Sequence, residues 1–393
     1  MASSDFYIAD NSDMENKKLE AARNHYMSGD YQSALKLYMS LVNTNISYKL
    51  YHRIAKCYYK MGDIKNAEEN FQKSVGLEKG DNPSYIYLGN IAYKREDLRS
   101  AIYNWACAFA YRPEDENVCL NLATSYFSCG MKFQSIFYYE KFLKYAQKQT
   151  NSYSAVKKSL DEYSKIGSEF LQKAKQSVAR KDYKTAIEFL TFAYKNIPTS
   201  YDINFMLGTA YLAENDNMHS MIYLKQAYCI NKNSLEVLQM LTSVFINLGD
   251  YTAAYCTLRR ILPLVINDQE EYLNTMKVIK ELNSTFDEQS YIGHKEWGDI
   301  YYRENNYHFA LFEYENCTLL SENMKKELKE RIEKLNLFIN PEIHIVKTCL
   351  EKANSLYQEG EIHNANKFFT KVMQFSEPDS TEYKLAKSRV SNV

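Results

Sequence analysis

The side chains that could support catalysis or metal binding form no recognisable site in this sequence. His294 lies close to Glu296 and His344 lies close to Cys349, but a zinc site is usually built from two close pairs of ligands. The chain has no glycine-rich phosphate loop, no Gly-x-Ser-x-Gly motif and no His-Glu-x-x-His motif. We therefore predict that the protein is not an enzyme, and that it uses no metal or other cofactor.

A second group of side chains has the chemistry needed to recognise a peptide. Basic residues favour acidic side chains or a terminal carboxylate, and asparagine amides can hydrogen-bond a peptide backbone. Tyrosine adds an apolar ring with a polar tip. The candidate peptide-binding residues in the N-terminal part of the chain are Arg23, Tyr26, Arg53, Lys56, Tyr59, Lys60, Tyr87, Asn90, Tyr93, Asn121 and Phe127.

The elements that must position these side chains are marked by a small residue that recurs every 33 or 34 positions. The first series is Ala34, Ala67, Ala101 and Ser135, and the second is Ala186, Ser220 and Ala254. A second small residue lies twelve positions earlier in most copies, as Ala22 does before Ala34. Apolar residues around both recur at intervals of three and four, which indicates helices. The pattern predicts pairs of antiparallel helices that pack closely at the small residues.

This pattern resembles the tetratricopeptide repeat family. The period, the two small positions, the turn between the helices and the closing prolines Pro113 and Pro198 all match that family. The resemblance implies an all-α fold, a right-handed α-solenoid of about nine helix-turn-helix repeats with three inserted helices. It also implies that the first helix of each repeat lines a concave surface on which partners bind.

The breaks in the spacing predict the order of the segments along the chain. We expect a disordered N-terminal tail at 1–14, repeats 1–4 at 15–149, an inserted helix at 150–166, repeats 5–7 at 167–268, a second inserted helix at 269–290, repeat 8 at 291–324, a third inserted helix at 325–345, repeat 9 at 346–379 and a C-terminal capping helix at 380–393. One extra helix would reverse the next repeat, so the insertion must prolong the helix before it or the chain must cross back. We expect the inserted helices to bend the array, the alternative being degenerate half-repeats without a bend.

Helical phase predicts a concave groove in two parts. Its N-terminal half carries the basic, aromatic and amide residues named above, and its middle is apolar, with Phe205, Met206, Met240 and Ile246. We hypothesise that the N-terminal half binds an extended acidic peptide. The alternative is that the basic residues form a solvated face and the tyrosines pack between repeats.

Some members of the family clamp the terminal carboxylates of chaperones with lysine, asparagine and arginine. Asn90 and Asn121 match the two amide positions of that clamp. Ile86 occupies its preceding lysine position, and Ser168 and Gln172 occupy positions where cations are needed. The resemblance therefore implies an incomplete clamp.

The overall charge and the cysteine pattern limit the class of partner and the compartment. The formal net charge is −1, with 48 basic and 49 acidic residues, whereas a nucleic-acid binder needs excess positive charge. No apolar run is long enough to span a membrane, no secretory signal is visible, and the eight cysteines are scattered. We expect a cytoplasmic scaffold or adaptor that binds proteins or peptides, without nucleic acid and without membrane insertion. The alternatives are a peptide-sensing regulator and a regulatory subunit of a separately encoded enzyme.

Overall fold

The computed structural model describes residues 4–42, 46–80, 83–282 and 291–390, with side chains from residue 14 onward. Within these ranges every element of regular secondary structure is an α-helix. The all-α repeat architecture predicted from the sequence is therefore confirmed. The chain divides into two compact units, residues 1–113 (unit 1) and residues 114–393 (unit 2).

Unit 1 consists of consecutive helical hairpins in its described part. The helices are α1 (Ser4–Met27), α2 (Tyr31–Val42), α3 (Tyr48–Met61), α4 (Ile64–Leu77), α5 (Ser84–Lys94) and α6 (Leu98–Phe109). Helix α3 ends at Gly62, whose φ of 83° is in the left-handed region that glycine adopts without strain. Asp63 then begins α4, because its carboxylate accepts a hydrogen bond from the Asn66 amide at 3.1 Å. These local signals explain why the chain reverses between the two helices of repeat 2.

The first helix begins earlier than the sequence predicts. We expected a disordered tail at 1–14, but α1 begins at Ser4. Residues 4–14 contain neither glycine nor proline, so they offer no residue that would end a helix.

The small residues lie where the paired helices are closest. Ala22, Ala34, Ala55 and Ala67 are fully buried. A Cβ atom on Gly89 would lie 2.5 Å from the Trp105 ring, so only glycine lets that ring pack flat against α5. The interpretation of these positions as close-packing points between helices is confirmed.

Unit 2 continues the hairpins and adds further helices. Its described helices are α7 (Glu116–Ser128), α8 (Lys132–Tyr145), α9 (Asn151–Ala179), α10 (Tyr183–Asn196), α11 (Tyr201–Ala213), α12 (Asn217–Ile230), α13 (Leu235–Asn247), α14 (Tyr251–Ile261), α15 (Gln269–Leu282), α16 (Tyr291–Arg303), α17 (Tyr307–Leu320), α18 (Glu322–Ile339), α19 (Pro341–Gln358), α20 (Ile362–Phe375) and α21 (Thr381–Val390). Helix α15 lies in the second predicted insertion, and α21 lies in the predicted C-terminal cap. Helix α18 begins at Glu322, before the third insertion predicted at 325–345, and α19 already begins at Pro341.

The first insertion differs from the prediction of a separate helix at 150–166. It is continuous with the first helix of repeat 5, so that α9 runs for 29 residues. Gly167 does not break the helix. A Cβ there would lie 2.4 Å from the Ile197 side chain, so this glycine serves the packing of α9 on α10. The predicted crossover between α15 and α16, residues 283–290, lies outside the described residues.

Helix α17 lies in the interior of unit 2. It packs against α12, α14, α16 and α18, and Tyr126 and Gln134 of repeat 4 hydrogen-bond to Asn305 and Asn306 just before it. Its buried residues are Tyr307, His308, Ala310, Leu311, Phe312, Glu313, Tyr314, Asn316 and Cys317. Repeats 4, 6, 7 and 8 therefore share one core, in addition to the contacts between neighbouring repeats that a simple array would have.

Candidate functional site

The basic residues predicted on the first helices of unit 1 lie together without acidic partners. Arg53, Lys56 and Lys60 are three and four residues apart on α3, so they share one face of the helix. Arg53 and Lys56 are half-buried, whereas Arg23 of α1 and Lys60 are exposed. Among the described residues, no carboxylate oxygen lies within 4.0 Å of any of these four cations. We call Arg23, Arg53, Lys56 and Lys60 the basic cluster.

The electrostatics of the basic cluster are those of uncompensated positive charge. Burial lowers the pKa of the Arg53 guanidinium, and the nearby Arg23 lowers it further. Burial also lowers the pKa of Lys56, as do its neighbours Lys60 and Arg53. Each positive charge in the basic cluster makes it less favourable for its neighbours to be protonated. A bound anion would offset this repulsion and would therefore be stabilised here.

Two tyrosine rings lie beneath lysines of the following repeat. The Lys56 Nζ atom is 5.0 Å from the centroid of the Tyr26 ring, and Lys94 Nζ is 5.3 Å from that of Tyr59. Lys94 also donates a hydrogen bond to the Tyr59 hydroxyl oxygen at 3.3 Å. These cation–π contacts orient both ammonium groups while leaving their charge available. Burial and the neighbouring Tyr87 raise the pKa of Tyr26 to about 12, so its hydroxyl remains a neutral donor at physiological pH.

The remaining tyrosines of unit 1 divide between packing and exposure. Tyr87 stacks on Phe71 at 4.8 Å and meets Tyr59 edge-on at 5.3 Å, so it belongs largely to the contact between repeats 2 and 3. Tyr93 packs against Trp105 at 5.6 Å but keeps 47% of its surface exposed. The packing alternative therefore holds for Tyr87, while Tyr93 presents an open ring.

Asn90 is held in place by the neighbouring helix. The Trp105 Nε1 atom donates a hydrogen bond to Asn90 Oδ1 at 3.1 Å. With its oxygen occupied in this way, the amide has its NH₂ group free to donate to a peptide carbonyl.

His52 belongs to the same surface and was not among the predicted residues. Its ring lies beside the stacked pair Phe71 and Tyr87, with centroids 5.6 Å and 5.7 Å away, and its Nδ1 atom is 2.8 Å from the Ser84 hydroxyl oxygen. Burial, followed by the charges of Lys56 and Arg53, lowers its pKa to about 4. His52 is therefore a neutral hydrogen-bonding group at physiological pH. Its position directly before Arg53 was the signal available in the sequence.

Two of the predicted residues lie in the other compact unit. Asn121 and Phe127 are on α7 of unit 2, whereas the other nine are in unit 1. Asn121 is half-buried, and Phe127 is 58% exposed at the edge of a cleft between α8 and α9. The predicted apolar groove residues Phe205, Met206 and Met240 are half-buried against the core of unit 2.

A group of polar and titratable residues in unit 2 joins α17 to its neighbours. Lys225 Nζ of α12 is 2.5 Å from Glu313 Oε1, and His294 Nδ1 of α16 is 2.7 Å from Glu313 Oε2. Burial acts to raise the pKa of Glu313, but Lys225 and His294 outweigh it and lower that pKa to about 2. Arg260 of α14 donates to Asn316 Oδ1 at 2.6 Å. All members of this group have protein partners, so we interpret it as a structural network.

The histidine pairs weighed for metal binding are not brought together. His294 contacts Glu313 as described, and His344 lies 3.5 Å from Thr348 Oγ1 while Cys349 is buried. Over the described ranges, no three His, Cys, Asp or Glu side chains are grouped so that they could hold a metal ion. Over the same ranges, no helix combines the length and apolar character that a bilayer span requires.

Comparison with protein families identifies one repeat directly. Residues 48–81 match the family described as Tetratricopeptide repeat. This segment contains the α3–α4 hairpin, and therefore Arg53, Lys56, Tyr59 and Lys60.

Comparison with individual proteins gives distant similarities. The "BBSome complex member BBS4" of Bos taurus is 24% identical over 113 residues, which is 28% of this chain and 22% of that protein. This chain thus spans about a fifth of the length of that relative. The P58(IPK) TPR domain is 16% identical, with 96% of this chain and 98% of that chain covered and a TM-score of 0.30. The TPR2AB-domain:pHSP90-complex of yeast Sti1 is 13% identical, with 69% and 97% covered and a TM-score of 0.27.

Proposed function

We propose that this chain, in which residues 48–81 match the tetratricopeptide repeat family, is a non-enzymatic interaction scaffold that binds extended acidic segments of partner proteins on the first helices of unit 1. The observation that carries this proposal is the basic cluster, whose cations have no carboxylate within 4.0 Å among the described residues. A carboxylate-bearing peptide would supply the missing counter-charges.

The surrounding residues suit a peptide in an extended conformation. Asn90 offers amide hydrogens for backbone carbonyls. Tyr93 offers an exposed ring for apolar side chains. The helices on which these groups lie are held by their own hairpin cores, so little order has to be gained by the protein when a peptide binds. Affinity should fall as salt rises, because exposed charges are screened.

The setting that we propose is a multiprotein assembly in the cytoplasm. Assembly membership is the role that the name "BBSome complex member" gives to the bovine relative. None of the eight cysteines, all of which lie in the described ranges, forms a disulfide, which suits a reducing compartment. Mass spectrometry of proteins captured by the full chain would distinguish a scaffold, which collects several structural partners, from the regulatory subunit of one enzyme.

The direct test is fluorescence anisotropy with a labelled glutamate-rich peptide. We expect the double variant Arg53→Glu/Lys56→Glu to weaken binding at least about 30-fold, since it replaces two attractions with two repulsions of 1 kcal/mol or more each. A peptide with lysine in place of glutamate should not bind the native chain and should gain affinity for the variant.

The matched control is Lys65→Glu/Lys73→Glu, which makes the same change of net charge on α4, the second helix of the same repeat. It should change binding by less than about threefold, as expected for distant, screened charges. Equal losses in the two variants would mean that only net charge matters, and the proposal would then be wrong. Circular dichroism of each variant verifies that the helices remain folded.

A further inference from the structure

The N-terminal half of α9 packs less closely against the rest of unit 2 than its C-terminal half does. Its C-terminal half pairs with α10 through Gly167 and Ala174. None of residues 151–166 is buried. This half nevertheless carries a stripe of apolar residues, Val156, Leu160, Tyr163 and Ile166. Val156, Leu160 and Tyr163 are half-buried and Ile166 is 42% exposed, so the chain itself covers the stripe only in part. A partly covered apolar stripe of this kind is typical of a binding surface.

Val156, Leu160 and Tyr163 of the stripe form one wall of a cleft in unit 2. The opposite wall consists of Ile136 and Tyr139 of α8, and Phe127 of α7 lies at the edge. The volume of the cleft is about 230 Å³, below the roughly 300–1,000 Å³ of sites for small-molecule ligands. Its size therefore suits anchoring side chains of a polypeptide better than a free metabolite.

The edge of the cleft is positively charged. Lys132 Nζ lies 4.9 Å from the Tyr163 ring centroid and donates to the carbonyl oxygen of Lys195. Lys195 in turn lies 5.3 Å from the ring of Phe192, which is 50% exposed. Among the described residues, no carboxylate oxygen comes within 4.0 Å of either ammonium group. The charge at the edge thus calls for acidic residues beside the apolar anchors.

We propose that this cleft binds an amphipathic helix of a partner protein, with bulky apolar side chains on one face and acidic residues flanking them. From Val156 to Ile166 the apolar stripe covers eleven residues of α9, a rise of about 15 Å at 1.5 Å per residue. That length fits two to three turns of a docked helix with anchors at helical spacing. The cleft is separate from the basic cluster of unit 1, and it depends on the insertion that lengthens α9.

The probe for this proposal is a labelled 16-residue peptide with leucines at helical spacing and glutamates elsewhere. A scrambled peptide of the same composition has no apolar face, and a third peptide has lysine in place of glutamate. We expect the ordered acidic peptide to bind at least about tenfold more tightly than either, equivalent to about 1.4 kcal/mol. Because both peptides have the same charge, the scrambled peptide also reports binding to the basic cluster alone.

The deciding pair of variants is Ser159→Trp and Ser154→Trp. Both serines are exposed on α9, but Ser159 lines the cleft and Ser154 lies on the opposite side of the helix. Filling the cleft with Ser159→Trp should weaken the ordered peptide at least about tenfold, while Ser154→Trp should change its affinity less than about twofold. Ser159→Trp should leave the scrambled peptide unaffected.

Three results would overturn the proposal. The first is equal affinity for ordered and scrambled peptides, and the second is binding that survives Ser159→Trp. The third is a dimer of the native chain in sedimentation that becomes a monomer with Ser159→Trp, because the occupant would then be a second copy. Repeating the titration with Arg53→Glu/Lys56→Glu separates the two sites. That variant should retain the preference for the ordered peptide even if the function proposed for unit 1 fails.

Discussion

Units 1 and 2 are built from the same helical hairpin but use their basic residues differently. In unit 2, the buried Lys225 pairs with Glu313 of α17, and the half-buried Arg260 donates to Asn316 of the same helix. In unit 1, the cations of the basic cluster have no carboxylate partner within the described residues. The cations of unit 2 are thus bound by a helix of the same unit, whereas the described part of unit 1 has no carboxylate beside the basic cluster. The comparison shows that the helical hairpin itself does not determine whether its basic residues form ion pairs within the chain.

The largest effect should come from removing the acid at the centre of unit 2. Glu313→Gln leaves Lys225 buried without a counter-charge, and we expect a loss of about 3–5 kcal/mol in the free energy of unfolding. The matched change in unit 1 is Glu68→Gln, whose partner Arg95 is 50% exposed. That loss should be under about 1 kcal/mol. Urea unfolding of both variants checks the difference. Similar losses would mean that the ion pair in unit 2 contributes no more to stability than the exposed pair in unit 1.

Acid should weaken unit 2 through His308. Its ring packs against Phe133 and Phe137, and burial, followed by the charge of Lys232, lowers its pKa from 6.5 to about 4. The unfolded chain therefore takes up a proton at a higher pH than the folded chain. The contribution of neutral His308 to the free energy of unfolding is fully present above pH 6.5 and is lost as pH falls to about 4. The loss amounts to roughly 3 kcal/mol, at about 1.36 kcal/mol per pKa unit.

Urea unfolding between pH 7 and pH 4 checks this expectation. His308→Gln should flatten the pH dependence in that range, whereas the exposed control His219→Gln should not. An unchanged slope in His308→Gln would contradict the role of this ring.

Two glycines of α16 should respond in opposite directions to alanine. A Cβ on Gly298 would lie 2.5 Å from the buried Tyr314 ring, whereas a Cβ on Gly293 would meet nothing within 4 Å. We expect Gly298→Ala to destabilise the protein by about 1–3 kcal/mol and Gly293→Ala to stabilise it by about 0.5 kcal/mol. Thermal melting distinguishes them. Equal shifts would show that α16 and α17 are not packed as closely as described.

The smallest effect should come from relieving repulsion in the basic cluster. Lys60 lies four residues after Lys56 on α3, and like charges at this spacing destabilise a helix by about 0.2–0.5 kcal/mol. Lys60→Gln should stabilise the free protein by that amount while weakening its binding of the glutamate-rich peptide. Lys36→Gln on α2, where no charged residue lies three or four positions away, is the control. A loss of stability in Lys60→Gln would mean that this charge has a partner in the fold.

The hairpins could be predicted because their signals are local. Ala34 and Ala67 repeat at a fixed interval, and glycine or aspartate between the helices specifies the turn. The continuity of α9 could not be predicted, because a glycine such as Gly167 usually indicates the end of a helix. Only its contact with Ile197 shows that this glycine serves packing instead.

The interior position of α17 could not be predicted from the sequence either. Glu313 and Asn316 have the polar character of an exposed helix face, and the partner that makes Glu313 buried, Lys225, is 88 residues away. The candidate site could be predicted only in part, because some of its features also depend on residues far apart in the sequence. Helical phase identified Arg53 and Lys56 on one face, but the pairing of Asn90 with Trp105 and the division that separates Asn121 from unit 1 depend on contacts between helices.

The most direct test of the difference between the units is hydrogen exchange of the full chain with and without a glutamate-rich peptide. We expect the peptide to slow exchange in α1, α3 and α5 of unit 1. Helix α17 should exchange slowly both before and after the addition. Protection confined to unit 2, or fast exchange in α17 that the peptide slows, would contradict the assignment of the acidic-peptide site to unit 1.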